Sequence, residues 1–389
     1  MNVRHIIQKS MLAITAAVTI SSCEMMKERP DEDECPTGLY VNFVYDYNTQ
    51  RADMFKDHVG GLTLYVYDES DRLVTQRTIG EDVIRKYGAS IHFTEGELAP
   101  GKKYRLQAIA MQKDWDVALT TPGAKYRRTD MQTGADRKTF AVALDRTPSS
   151  QPPYFLVSTA APLDTLWHTL QTMDAPGQNL PEATQHHLLA DGSVKSNEVE
   201  FFEVKHGVPT YATVSLIRDT KHLNISLREI DHPETVNDAD YEIFILDANG
   251  DLDYKNNVVS PTDSLIYRPY AQWTTSYDGG GSISEQRSAH YDLMFNRLMY
   301  SPTPDENAVL CIRKKSTGQD IAVLNLAEVL SEGRTAFEIY SYLPQEYLDR
   351  EYDYRLELFL KGEEWEHLSY LYVCIDVLSW AKRIQFEDL

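Results

Sequence analysis

Asp247, Asn249, Asp251 and Asp253 carry oxygen ligands at alternate positions, the pattern with which a short loop encloses a calcium ion. Such a loop also needs glycine at its sixth position and a bidentate acid at its twelfth. Leu252 and Val258 stand there, so the string reads as a turn. His186 and His187 are adjacent, which on a helix aims them apart, and no His-Glu-x-x-His exists to hold zinc. Gly279-Gly280-Gly281-Ser282 lacks the strand and helix that hold a nucleophilic serine in a strained elbow, and no Gly-x-Ser-x-Gly occurs. Walker and dinucleotide-binding glycine strings are missing too. The 59 acids leave a glycosidase pair open at any separation, but nothing singles one out. No enzyme, cofactor or metal is expected.

The elements that position side chains must come from a chain of 389 residues, long enough for two or three domains with cores of their own. Hydrophobic residues at 42% and charged residues at 25%, with 24 Tyr, 12 Phe and 5 Trp, describe a folded protein. The formal net charge is −21. Binding to phosphate backbones relies on Lys and Arg releasing counterions, so nucleic acid is not an expected partner.

Residues 1–22 carry Arg4 and Lys9, no acid, and a ten-residue apolar run over 11–20, closing on Ser21-Ser22 ahead of Cys23. Ten residues cannot span a bilayer as a helix, which takes about 20, so this is a signal peptide. Small residues directly before a cysteine resemble the lipobox of bacterial lipoproteins, which implies Cys23 as the acylated first residue of the mature chain; the alternative is a plain cleaved signal. Residues 23–38 form an acidic tether, most of it in Glu-Met-Met-Lys-Glu-Arg-Pro-Asp-Glu-Asp-Glu over 24–34. In Bacteroides-type bacteria, acids shortly after the lipid cysteine resemble a signal for display on the outer face of the outer membrane. With Cys23 acylated, Cys35, Cys311 and Cys374 remain, and their pairing stays open.

From Leu39 onward the dominant period is two. Leu39, Val41 and Phe43; Leu62, Leu64 and Val66; Leu223, Ile225 and Leu227; Tyr354, Leu356 and Leu358; and Leu371, Val373 and Ile375 each mark one face of a strand. Pro100-Gly101 reads as a tight turn and Asn249-Gly250 as a hairpin turn. Helices are short, expected over 82–87, 181–189, 326–331 and 344–350. The fold class is mainly β, with short helices in the connections and packed sandwiches as its form. Residues 66–73 and 245–252 look like copies of one strand-turn-strand unit, which suggests two similar domains, 39–219 and 220–389. Polar stretches over 113–138, 148–153, 172–197 and 276–287 read as exposed loops. Tyr45, Tyr47, Tyr65 and Tyr67 sit among hydrophobes and read as packing residues rather than a sugar-stacking face.

Residues 35–48 (Cys-Pro-Thr-Gly-Leu-Tyr-Val-Asn-Phe-Val-Tyr-Asp-Tyr-Asn), 51–55 and 64–68 resemble the opening of FimB-type fimbrial anchor subunits of Bacteroides-like bacteria. Residues 343–350 and 380–385 are similar to the close of that family. The resemblance implies two tandem transthyretin-like β-sandwiches on a lipid anchor. It implies a subunit that fastens the base of a fimbrium to the outer membrane, limits fibre length, and supports adhesion and biofilm formation. Its partner would be a fimbrial stalk subunit, met by β-strand addition, in which main-chain hydrogen bonds give affinity and alternate side chains give register. Val377, Trp380, Lys382, Ile384 and Phe386 mark the candidate exchanged strand; the alternative is a resident strand completing the second sandwich. Stalk subunits of this class are cut after an arginine to free a groove, but a cut at Arg51 would remove the first strand, so no such maturation is expected. A surface glycan-binding lipoprotein, or a tip adhesin with a host or bacterial surface ligand, remains the alternative role.

Overall fold

Leu39, Val41 and Phe43 are buried on one face of the opening strand, Gly38–Val44, as their spacing predicts. The computed structural model describes residues 36–88, 90–173, 187–188, 194–195, 199–259, 263–277, 285–360, 371–377 and 380–386. Strands dominate and helices are short, so the chain is mainly β as expected. Gly38 starts the first strand at φ +85°, where an added Cβ would overlap the Phe93 carbonyl oxygen. Only glycine lets those two strands approach.

The first sheet runs in the order Leu73–Ile79, Gly61–Asp68, Lys103–Met111, Leu166–Met173, Pro209–Arg218, Gly38–Val44 and Ser90–Phe93, with Phe202–Glu203 also on Lys103–Met111. A six-stranded sheet follows in the order Ala271–Tyr277, Gln286–Phe295, Lys221–Glu229, Asp353–Leu360, Leu371–Val377 and Trp380–Phe386. In each sheet the earliest strand pairs parallel with a much later one: Gly38–Val44 with Pro209–Arg218, and Lys221–Glu229 with Asp353–Leu360. Sheet pairing also crosses the 219/220 division. Ala141–Leu144 pairs with Asp251–Asp253, and Phe155–Leu156 pairs with Leu265–Tyr267 in a second six-stranded sheet completed by Thr147–Pro148, Tyr241–Asp247, Val309–Lys314 and Gln319–Asn325.

Two faces of Gly61–Asp68 go into two cores. Leu62, Leu64 and Val66 pack with Leu39, Leu106, Trp167 and Val214, whereas Tyr65 and Tyr67 join a cluster that runs on through Leu223, Ile225, Ile245, Leu310 and Leu356. Apolar burial is therefore continuous across the two halves of the chain. Tyr45, Tyr47, Tyr65 and Tyr67 are all buried, so they are packing residues.

Three helices stand where expected, as Glu81–Tyr87, Leu326–Ser331 and Pro344–Arg350. The fourth expectation, 181–189, is corrected at its end. His187–Leu188 is extended and pairs with Val194–Lys195; residues 181–186, including His186, lie outside the described residues, as does Gly279-Gly280-Gly281-Ser282. A second correction concerns 113–138, which is not an exposed loop. It holds Trp115–Ala118 and Tyr126–Arg128, and buries Ala118, Ala124, Tyr126 and Met131 in the shared cluster. These apolar residues follow no single period because they plug an irregular space between sheets. A third correction is that Asn249-Gly250 makes no hairpin: Asp251–Asp253 leaves for Ala141–Leu144 instead. Buried Asn249 holds the chain in that direction, donating to the Asn296 and Arg297 carbonyls at 3.1 and 3.0 Å and accepting from the Tyr267 hydroxyl at 2.6 Å.

Candidate functional site

Arg218-Asp219-Thr220-Lys221 joins the last long strand of the first sheet to the first strand of the second. It contains no glycine or proline, and no turn is formed in it. Asp219, Thr220 and Lys221 are fully buried, so each polar group needs a partner. Asp219 meets His168 Nδ1 at 2.6 Å and accepts from Asn256 Nδ2 at 2.7 Å. Thr220 Oγ1 accepts the Leu166 amide at 3.1 Å and donates to the Asp164 carbonyl at 3.2 Å. Lys221 Nζ donates to the carbonyls of Asp349 and Glu351 at 2.9 and 2.8 Å. The Arg218 guanidinium lies 4.2 Å over the Tyr352 ring.

A second layer ties residues 47–58 to residues 340–352. Glu351 accepts from Thr49 Oγ1 at 2.9 Å while its other oxygen takes the Tyr352 and Asp353 amides. Arg350 is buried against the Tyr47 and Tyr342 rings, at 4.0 and 5.1 Å. Arg297 grips Asp349 through two bonds of 2.8 Å. Buried ion pairs recover their desolvation cost only in good geometry. These contacts are directional as well as buried, and they hold the two sheets in one fixed relation.

Burial pushes the Lys221 ammonium down to about 7, against the pull of Asp349 and Asp219. Between that pH and the ordinary lysine range the unfolded chain holds a proton the native chain has lost, so stability rises with pH there, by up to about 1.4 kcal/mol per pH unit. Burial raises the Glu351 carboxyl, an effect of opposite sign. Thermal unfolding is therefore expected to shift to higher temperature between pH 7 and 9, and Lys221→Met is expected to flatten that rise. Equal slopes in the two proteins would remove Lys221 as its source.

His168 and Asp219 form the closest acid–imidazole pair of this junction, yet both are buried, so a substrate has no approach to them. Among the described residues no group of three His, Cys, Asp or Glu side chains is placed to hold a metal. The calcium-like string is taken up by the protein itself. Asp251 receives both arms of Arg146 at 2.8 and 2.9 Å, and Asp253 caps the amides of Lys255 and Asn257, each at 2.8 Å. Cys311 is a free, buried thiol, raised to about 11 by burial.

Cys23 and Cys35 lie outside the described residues. Trp380–Phe386 pairs antiparallel with Leu371–Val377 over seven positions, from Leu371↔Phe386 to Val377↔Trp380. Lys382 stands opposite Ile375 and Ile384 opposite Val373, and Cys374 stands on the inner of the two strands. This hairpin forms one end of the six-stranded sheet, so among the described residues Trp380–Phe386 is an edge strand. Sequence reasoning found that strand and missed the buried junction, whose one signal was a charged connection between strands with no glycine or proline in it.

No helix among the described residues is long and apolar enough to cross a membrane. A search of curated proteins gives no match. Solved structures share the fold over most of the chain. A Bacteroides thetaiotaomicron protein described provisionally as an adhesin is 23% identical at a TM-score of 0.65, covering 91% of this chain and 100% of its own. Another from the same species, described provisionally as polysaccharide-binding, is 22% identical at 0.64, covering 90% and 99%. The fimbrial anchor protein Mfa2 from Porphyromonas gingivalis is 17% identical at 0.52, covering 89% and 99%. The profile of the fimbrillin-A associated anchor proteins Mfa1 and Mfa2 matches residues 32–386. With the match running through both large sheets and the terminal hairpin, this chain belongs to that family of fimbrial anchor proteins, as the resemblance in its opening and closing strings implied.

Proposed function

We propose that this chain is a lipid-anchored outer-membrane subunit that fastens the base of a fimbrium to the cell, with Cys23 as the acylated residue at the head of the acidic tether 23–38. Residues 39–219 and 220–389 would act as two tandem transthyretin-like sandwiches held rigidly by the Arg218–Lys221 junction. A rigid link suits a part that carries tension from a fibre to a membrane. The observation that carries the reading is the edge position of Trp380–Phe386. An edge strand offers a row of main-chain donors and acceptors, and a stalk subunit's extended strand is the partner that such a row accepts. The opening strand is paired on both sides, which favours a chain that keeps it over one cut at Arg51. Adhesion and biofilm formation would follow from keeping fibres on the cell.

The test is co-purification of the membrane-extracted chain with a fimbrial subunit, before and after deletion of residues 378–389. The expected result is capture by the full chain and loss on deletion, with circular dichroism showing the β fold kept. Unchanged capture would rule out the terminal strand, and fibres that stay attached at normal length in cells lacking the gene would rule out anchoring. Gold-labelled antibody on intact cells separates a base position from a tip position.

A further inference from the structure

The outward face of the second sheet carries a trough that none of the anchoring contacts uses. Leu223, Ile225 and Leu227 point into the core, which turns His222, Asn224, Ser226 and Arg228 outward. Cross-strand register sets Glu357, Ser226, His290 and Trp273 in one line across four strands, and Arg355, Asn224 and Asp292 in the next. The central strand contributes the short side chains Asn224 and Ser226 as a floor, while Arg228, Arg355, Glu357 and Trp273 stand as walls around a cavity of about 500 Å³.

Its polar groups are already fixed to one another. Ser226 Oγ and Thr275 Oγ1 each lie 2.8 Å from a nitrogen of His290, Asn224 donates to Asp292 at 2.6 Å, Arg228 meets Glu357 at 2.9 Å, and His222 meets Asp353 at 2.6 Å. Trp273 stacks on His290 at 5.2 Å and remains 40% exposed, and Tyr277 on the same strand is 68% exposed. Four residues apart on one strand, the two rings share a face at a separation of about 13 Å.

We propose that this trough binds a neutral oligosaccharide, with Trp273 and Tyr277 stacking on sugar rings and the carboxylate and guanidinium groups hydrogen-bonding the hydroxyls. A sugar ring presents a flat apolar C–H face and a rim of hydroxyls that are at once donors and acceptors. A preformed site for it combines an exposed aromatic plane with a few fixed polar groups of both kinds. Arg228 and Arg355 are offset by Asp292, Asp353 and Glu357, so the trough has no cationic surplus to select an acidic chain. The ring spacing suits an oligosaccharide better than a monosaccharide. A docking peptide would seek main-chain groups, and this face presents side chains.

The test is calorimetric titration of the full chain in detergent with cellohexaose, laminarihexaose and isomaltohexaose, and with hexagalacturonate as the charged comparator. Binding of at least one neutral hexamer is expected, weakened about tenfold or more by Trp273→Ala and less by Tyr277→Ala. Tyr277 is so exposed that its variant reports on the trough even where Trp273→Ala unfolds the sheet. No neutral hexamer bound at millimolar concentration, tighter binding of hexagalacturonate, or affinity unchanged in both folded variants would each overturn the proposal. The readout needs no fimbrial subunit, so its failure leaves the anchoring reading to its own test.

Discussion

Asp349→Ala is expected to lower the unfolding free energy by about 3 to 5 kcal/mol, the range for leaving one member of a buried ion pair without its partner. Arg297 is the member left behind. Burial pulls its guanidinium down, but the charge and hydrogen bonds of Asp349 outweigh that and hold it above the ordinary arginine range; it also donates to the Asn256 carbonyl at 2.6 Å and sits where water has little access. Asp349 lies in the last turn of the helix Pro344–Arg350 and also accepts from Gln345 Nε2 at 3.1 Å, so its loss removes a bond along the helix together with the ion pair. Urea unfolding followed by fluorescence measures the change. The paired variant Arg297→Met with Asp349→Leu is expected to regain a good part of it, since two apolar groups leave no charge stranded. A loss below about 1 kcal/mol in the single variant, the level of an exposed pair, would mean that water reaches this site and that the junction is softer than its geometry.

Cys23→Ala is expected to have the largest effect in the cell, moving the chain from the membrane to the soluble fraction and shedding fibres into the medium. Each buried methylene of an acyl chain contributes about 0.8 kcal/mol, one chain holds only marginally, and several make the attachment long-lived. No helix among the described residues is long and apolar enough to cross the bilayer. Metabolic labelling with radioactive palmitate, followed by fractionation, measures the effect. A variant that stays in the outer membrane, or a wild-type chain that takes up no label, would show that something other than this cysteine makes the attachment. Asp349→Ala and Cys23→Ala are separable, because the first is expected to weaken the fold without touching the proposed acylation site, and the second to remove that site without touching the fold.

The strands were legible because alternation is local. Leu223, Ile225 and Leu227 announce a strand and its inner face without reference to the rest of the chain, and all three are buried. Helix ends were legible for the same reason. Asn325 accepts the Glu328 amide at 3.1 Å ahead of Leu326–Ser331, and Pro344 opens Pro344–Arg350, where its missing N–H costs nothing. The string from Cys35 to Asn48 and the one from Trp380 to Gln385 carry the family resemblance in the sequence alone. Asn249-Gly250 misled, since the same dipeptide serves a hairpin or a strand exit, and buried Asn249 chose the exit.

What only the tertiary structure decided is which strand lies beside which, and what surrounds a charge. Gly38 pairs with Pro209, and His222 with Asp353. Any extended segment offers the same row of main-chain donors and acceptors, so partners so distant in sequence are chosen by the packing of whole faces, which no local pattern encodes. Lys221 illustrates the second part: a lysine between two strands reads as solvated, yet here it is sealed under Asp349 and Glu351. Trp273, too, became a platform only when three other strands brought His290, Ser226 and Glu357 into line beside it. Sequence determines which side chains turn inward along a strand, because that follows from the two-residue period of extended backbone. The assembled sheets determine what those side chains and their outward neighbours face, because hydrogen-bond registry and desolvation act between segments far apart in the chain.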